Sequence, residues 1–430
     1  MKLSGARRIV AAGIVATVLI ACATVWVLAT GSNAGTGPES VERESGVRVL
    51  NGPWKFAVGD DVRWSEVGLD DSKWETVDLT APVGAHDGDV GISGYVNGWG
   101  LRGHAGYVGY AWYRMRIVDE CESAKCEAMV GPAAVDSAYE IFVDGKLVGG
   151  EGDFRGPAPR VGAIRPRIFE VPSGTQVIAV RVWMAAWDLA SDSGGMRVAP
   201  AIGTEDAIRR VYRAQWMQTI RGYVVEVAEA AAFFLLAGVM WLLKTRGIIE
   251  VECGWLCVAM ICTGLYRANQ AMVAWSGVET VQMYQVMSLM VLVPACVGSW
   301  TMGWRDFFGV IGGRVFPVCA AVLTVIYWVG TFEVAGAVNV ARIGLLGLTV
   351  AIFVAAVVRS GVRWKRVALA AMVTAAVGQF AGEISKLGVP GIWFPFGVGV
   401  SRGQFAYAVF FVVAWWWLWT VTRGGDGAAE

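Results

Sequence analysis

Between residues 223 and 422 apolar residues run in seven blocks, at roughly 223–243, 251–268, 280–303, 315–333, 338–358, 366–386 and 404–422, separated by short polar turns. An α-helix needs about 20 predominantly apolar residues to cross a hydrocarbon core ~30 Å thick, so the pattern predicts an α-helical seven-transmembrane bundle. One more apolar run, Ile9 to about Ala29, follows the basic residues Lys2, Arg7 and Arg8. A positive start followed by a long apolar segment is read as a signal anchor over residues 1–30, or as a signal peptide that is removed. A lipoprotein-type box at Leu19-Ile20-Ala21-Cys22 is a third reading, opposed by the apolar sequence that continues past Cys22. All three place the next segment outside the cytoplasm.

The period changes between these apolar regions. Residues 31–46 have the Gly, Ser and Pro content of a flexible linker. From Val47 to Gly203, short runs rich in β-branched and aromatic residues (Trp112–Val118, Ala138–Val143, Val177–Trp183) alternate with Gly, Asp and Pro. Asp144-Gly145 between two such runs is a hairpin signal, and no stretch keeps a helical period over three turns. The expectation is an all-β sandwich with long loops at 82–108 and 150–168. Over 204–222 a helical period returns, with Ala207, Ile208, Val211 and Tyr212 on one side and Arg209, Arg210 and Arg213 between them. Such an amphipathic helix either couples the β domain to the bundle or lies as a linker on the lipid surface.

Basic residues orient the bundle. Lys244, Arg246, Arg305, Arg314, Arg359, Arg363, Lys365 and Arg423 fall in alternate turns and in the tail, 423–430. The positive-inside rule puts these in the cytoplasm of a bacterial inner membrane and residues 31–222 outside it. Arg209, Arg210, Arg213 and Arg221 run against that rule and are outvoted. With short inner turns and about eight residues after the last block, no cytoplasmic enzyme domain is expected within the chain.

Composition adds three limits. Only 17% of the 430 residues are charged and 55% are hydrophobic, against ~25% charged in soluble domains, so lipid is an expected partner. The 36 basic and 36 acidic side chains cancel, which gives a nucleic-acid role no electrostatic support. Of eight cysteines, only Cys121 and Cys126 fall in the polar domain. They are a disulfide candidate across a short loop, or two unpaired small residues in a hairpin. No metal or other cofactor is implied. Cys253, Cys257 and Cys262 are read as small residues on one membrane helix.

Candidate binding chemistry gathers in one loop, where His86, Asp87, Trp99, Arg102, His104 and Tyr107 set aromatic planes beside polar groups. A sugar or another small polar ring needs that combination, although a Gly-rich loop of this kind is also read as merely solvated. A second loop carries Asp153, Arg155, Arg160, Arg165 and Arg167, suited to an anion or to lipid head groups. Inside the membrane blocks, Glu226 and Glu229 lie three apart, as do Glu383 and Lys386. Each pair shares a helix face and either pairs across helices or is solvated at the interface.

Five segments carry a resemblance. They are Asn51-Gly52-Pro53-Trp54-Lys55-Phe56, Asp70-Asp71-Ser72-Lys73-Trp74, Gly109-Tyr110-Ala111-Trp112-Tyr113-Arg114, the run Ala138–Gly149 with Asp144-Gly145 at its turn, and Val177–Val182. In this order they resemble the sugar-binding domain of glycoside hydrolase family 2, a galactose-binding-like jelly roll, over about 47–203. The resemblance implies that Trp54, Trp74, Trp112, Tyr113, Arg114, Asp144 and Gly145 are structural. It also implies a carbohydrate-binding role without hydrolysis, because that family's catalytic carboxylates lie on a barrel domain not seen here. Asp144 replaces the Asn usual in that hairpin.

Joined to seven spans, the layout resembles bacterial seven-transmembrane receptors with diverse intracellular signalling modules. That implies a sensor without enzymatic activity that signals to a kinase, diguanylate cyclase or phosphatase supplied by another chain. Alternative expectations are a membrane scaffold whose β domain docks an envelope partner, and a transporter-like bundle.

Overall fold

The computed structural model describes residues 2–30, 46–85, 93–117, 127–156, 159, 166–172, 174–184, 194–276, 285–331, 336–359, 363–385, 392–393 and 399–423. The first helix, α1 (Lys2–Thr30), is followed by ten strands: β1 (Val47–Val49), β2 (Trp54–Val58), β3 (Glu75–Val77), β4 (Gly109–Arg116), β5 (Ala128–Val130), β6 (Ala138–Val143), β7 (Lys146–Glu151), β8 (Ile168–Glu170), β9 (Val177–Met184) and β10 (Ala201–Gly203). They form a six-stranded sheet in the order β3-β2-β4-β9-β6-β7 and a four-stranded sheet in the order β1-β10-β5-β8. The ladders described between these strands are antiparallel.

Period-2 alternation decides which side chains meet. Phe56, Tyr113, Ile141 and Val180 leave one face of the six-stranded sheet and pack with Met129, Phe169 and Ile202 of the other sheet in one buried core. The intervening Trp112, Phe142 and Ala179 leave the opposite face, where Trp64 and Trp74 cover them. The Asp144-Gly145 hairpin forms as its composition predicts, with φ of 47° and 80° at the two turn residues. Asp144 Oδ1 also accepts from the backbone N–H of Gln176 (3.0 Å) and of Val177 (2.8 Å), tying the turn to β9.

After β10 the chain enters α2 (Glu205–Gly222), and only Tyr223 separates it from α3 (Val224–Thr245). Ile208, Val211 and Tyr212 of α2 pack on Ala128, Val130 and Ala201, the outward positions of the four-stranded sheet. The same strands send Met129 and Ile202 to the sandwich core, so this sheet is apolar on both faces. Ile208 is fully buried. Truncation by Ile208→Ala is expected to destabilise the helix–sheet contact by about 2–5 kcal/mol. Chemical denaturation of the full chain checks this, and an unchanged midpoint refutes the contact.

The helical part continues with α4 (Gly254–Ser276), a π-helical stretch Gln285–Leu292, α5 (Val293–Phe308), α6 (Val315–Gly330), α7 (Ala337–Arg359), α8 (Arg363–Gln379) and α9 (Ala381–Ser385). A two-residue ladder of β11 (Ile392–Trp393) and β12 (Gly399–Val400) precedes α10 (Arg402–Arg423). Among the described residues, four helical stretches are long and apolar enough to cross a membrane: Ser4–Ala29, Glu205–Thr245, Ala337–Arg359 and Gly403–Arg423. Val315–Gly330 and Arg366–Gln379 are shorter apolar helices.

Helix α1 packs into the bundle, with Ala6 and Val10 buried in its main core. Arg7 Nε donates to the carbonyl of Thr422 (3.2 Å), so the start of α1 lies beside the end of α10. Gly13 of α1 meets the Trp415 ring so closely that a Cβ would overlap it.

Candidate functional site

The described part of the loop expected to hold a ligand turns inward. Trp99 is 1% exposed and belongs to the sandwich core. Its Nε1 donates to the Tyr107 carbonyl (3.2 Å), and its ring lies 6.0 Å from Phe56 and 5.8 Å from Tyr107 between centroids. Gly194, at φ +104°, covers that ring where any Cβ would collide with it. The expectation of Trp99 as a stacking platform is therefore corrected: its face is spent on the core.

Arg102 is a brace, donating from Nε to the Asn97 carbonyl (2.9 Å) and from Nη1 to the Asp78 carbonyl (2.8 Å). His104 Nε2 lies 3.0 Å from Glu75 Oε2, with its ring 5.3 Å from Phe56. Tyr107 donates its hydroxyl to the Tyr110 carbonyl (2.6 Å), and burial pushes its phenol up. His86 and Asp87 lie outside the described residues, as do Cys121 and Cys126. In the second loop, Arg155 Nε pairs with Asp153 (2.9 Å) and Arg167 Nε with Glu151 (2.5 Å). Arg160 and Arg165 are outside the described residues.

Of the residues that carry the resemblance, Trp54, Trp112, Tyr113 and Arg114 are buried in the sandwich. Trp54 is fully buried and donates to the Leu50 carbonyl (2.7 Å). Arg114 is 1% exposed, bonded to Asp71 Oδ2 (3.0 Å) and the Trp64 carbonyl (2.8 Å). Burial pushes the Tyr113 phenol up. Trp112 donates to Asp60 Oδ1 (3.1 Å), and Trp74 packs edge-on against Trp64.

Sequence reasoning passed over the most polar cluster on the outer face of the six-stranded sheet. Arg181 bonds Asp60 Oδ1 through Nε (2.7 Å) and Glu140 Oε2 through Nη1 (2.8 Å). Its guanidinium lies over Tyr110 (4.5 Å) and Phe154 (5.2 Å). Tyr110, Glu140 and Arg181 occupy the outward register of three adjacent strands, a signal that period 2 makes available once strand order is known.

In the helical part, Glu226 and Glu229 of α3 meet Arg267 of α4. Nη1 of Arg267 is 2.9 Å from Glu226 Oε1, and its Nε is 3.2 Å from Glu229 Oε2. Gln404 of α10 donates from Nε2 to Glu226 Oε1 (2.7 Å), and Arg267 lies 5.5 Å from the centre of the Tyr407 ring. Glu226 and Glu229 are 2% and 6% exposed, so they are not solvated at an interface. Buried charges persist when paired, and this pairing joins three helices.

Glu383 pairs with Arg342 of α7, whose Nη2 donates to Glu383 Oε2 (2.7 Å) and whose Nη1 donates to the Tyr327 hydroxyl (3.0 Å). Its partner is thus on another helix, and Lys386 lies outside the described residues. Sequence reasoning passed over both Arg267 and Arg342, although a basic residue inside an apolar block is the signal that marks a buried ion pair.

No family model and no curated protein matches the chain. Solved structures similar to it include a β-glucuronidase of Bacteroides uniformis (20% identity, 36% of this chain and 17% of that one, TM-score 0.26). Others are a glycosyl hydrolase family 2 member of Bacteroides cellulosilyticus (19%, 36% and 20%, 0.26) and a β-glycosidase of Bacteroides vulgatus (17%, 36% and 20%, 0.25). The chain spans about a fifth of the length of these structures, and the likeness covers 36% of the chain. The expectation of a chain without enzymatic activity is corrected by this finding, because these neighbours are glycosidases. Their activities are those of the whole neighbouring proteins.

Proposed function

We propose that this is a multi-pass membrane sensor. Its β domain, outside the cytoplasm, binds a carbohydrate-like or other small ligand, and the seven blocks form a spanning bundle that signals to a separate cytoplasmic kinase, diguanylate cyclase or phosphatase. The observation that carries the reading is the helical run Glu205–Thr245. One end packs its Ile208 and Val211 against the sheet, and the other brings Glu226 and Glu229 to Arg267. A ligand that shifts the four-stranded sheet thereby moves a buried ion-pair cluster without a flexible joint between them. Partly buried polar pairs beside aromatic rings, at Glu75–His104 and Asp60–Arg181–Tyr110, supply the kind of groups that a sugar engages.

A second reading, a scaffold whose β domain docks an envelope protein, draws on the inward-turned Trp99, Arg102 and Tyr107. Calorimetric titration of the full chain in nanodiscs with neutral and acidic saccharides separates the two. Saturable heat from at least one saccharide is expected, and no heat across the panel removes the carbohydrate ligand.

A further inference from the structure

The sequence leaves three fates open for residues 1–30: a retained anchor, a removed signal peptide, or a lipoprotein leader cut before Cys22. The packing of α1 separates them. Ala6, Val10 and Gly13 recur at i, i+4 and i+7, so they share one helix face. That face meets the bundle. Ala6 and Val10 are 1% and 0% exposed and share a core with Leu236 of α3 and with Ala414 and Leu418 of α10. At Gly13 the Trp415 ring fills the place of a Cβ, so a side chain there would displace the ring. Toward the other end of α1, Leu28 is 4% exposed. A helix that only passes through lipid needs no such fitted face.

Arg7 supplies a second, independent contact. Its Nε donates to the Thr422 carbonyl (3.2 Å) and its Nη2 to the Arg423 carbonyl (3.5 Å). The last four carbonyls of a helix have no partner within it, and a cation there also meets the negative end of the helix dipole. Arg7 thus caps α10 from 415 positions away in sequence, while neighbouring Arg8 is exposed. A targeting segment needs positive charge at its start but no particular partner for it. Length points the same way: α1 has 29 residues, whereas the apolar core of a removable signal has about 7–15.

We propose that residues 2–30 stay in the mature protein as a permanent helix of the bundle, docked against α3 and α10 by the face of Ala6, Val10 and Gly13, with Arg7 as the cap that closes α10. A cut before Cys22 would divide α1, and a cut beyond Thr30 would take the cap away from the Thr422 and Arg423 carbonyls. α1 holds this place whatever ligand the β domain takes.

Intact-mass spectrometry of the full chain, carrying a C-terminal tag and purified from membranes in detergent, tests retention. A mass that includes residues 2–30 is expected, and a chain starting at Cys22 or beyond Thr30 overturns the proposal. Docking is tested in a Cys22→Ser background by Gly13→Cys together with Trp415→Cys, with a protease site inserted after Gly35. A short bis-maleimide is expected to join the two fragments in this variant, and not when either added cysteine is left out. No joined product, or equal joining without one of those cysteines, overturns the docking. Arg7→Met is expected to lower the melting temperature in detergent, and Arg8→Met to leave it at the wild-type value. An equal shift in both variants, or none in either, overturns the cap.

Discussion

Replacing Arg267 by Met is expected to destabilise the full chain by about 3–5 kcal/mol, the usual cost of removing one partner from a buried ion pair. The guanidinium is held by Glu226 at 2.9 Å and Glu229 at 3.2 Å. Without it, two carboxylates one helical turn apart face each other in a site where Glu226 is only 2% exposed. Burial penalises each ionised group, and like charge adds to the penalty. Methionine keeps much of the length and apolar bulk of the arginine stem, so the loss reports charge rather than a cavity. Adding Glu226→Gln and Glu229→Gln to Arg267→Met is expected to restore more than half of the lost stability, since no uncompensated charge remains. Thermal unfolding in one detergent reads all the variants. A single variant that melts with the wild type, or a triple variant no better than the single, removes the cluster from the account of the bundle.

Trp99→Ala is expected to destabilise the β domain by about 3–5 kcal/mol. The ring is 1% exposed, and its Nε1 bonds the Tyr107 carbonyl. Gly194 and Gly195 leave room for no side chain against the rings of Trp99 and Tyr113. Backbone this close does not collapse readily into the space left behind, so the cavity term stays large. Tyr107→Phe is the control, because it deletes the one hydrogen bond to Tyr110 and is expected to cost about 0.5–1.5 kcal/mol. Urea denaturation followed by near-ultraviolet circular dichroism ranks them. A Trp99→Ala chain as stable as the wild type that has lost saccharide binding returns Trp99 to the ligand surface.

These two residues mark where the sequence stops being informative. Trp99 sits in a loop rich in Gly, beside His104 and Arg102, and local composition there is the same for a binding loop and for a loop folded onto a core. The choice was made by Gly194, 95 positions away, which closes over the ring. Arg267 lies inside an apolar block, a signal that went unused, and its carboxylate partners come from another helix. Glu383 has the same history. Lys386, three positions on, is the nearby candidate in sequence and lies outside the described residues, while Arg342 of another helix pairs with Glu383. The outward trio Tyr110, Glu140 and Arg181 needed the strand order β4-β9-β6 before it could be seen as one cluster.

What could be read directly was local and periodic. Apolar blocks located the helices, period 2 located the strands, Asp144-Gly145 located a hairpin, and the return of a helical period after Gly203 located α2. Those features depend on neighbours a few positions away, because side-chain direction and turn conformation are set by the backbone at the same place. Pairings of charge and choices of face are set by groups tens to hundreds of residues distant. Only the folded chain decided that Trp99 is core, that α1 lies against Trp415, and that two glutamates share one arginine, since each depends on which surfaces exclude lipid or water together.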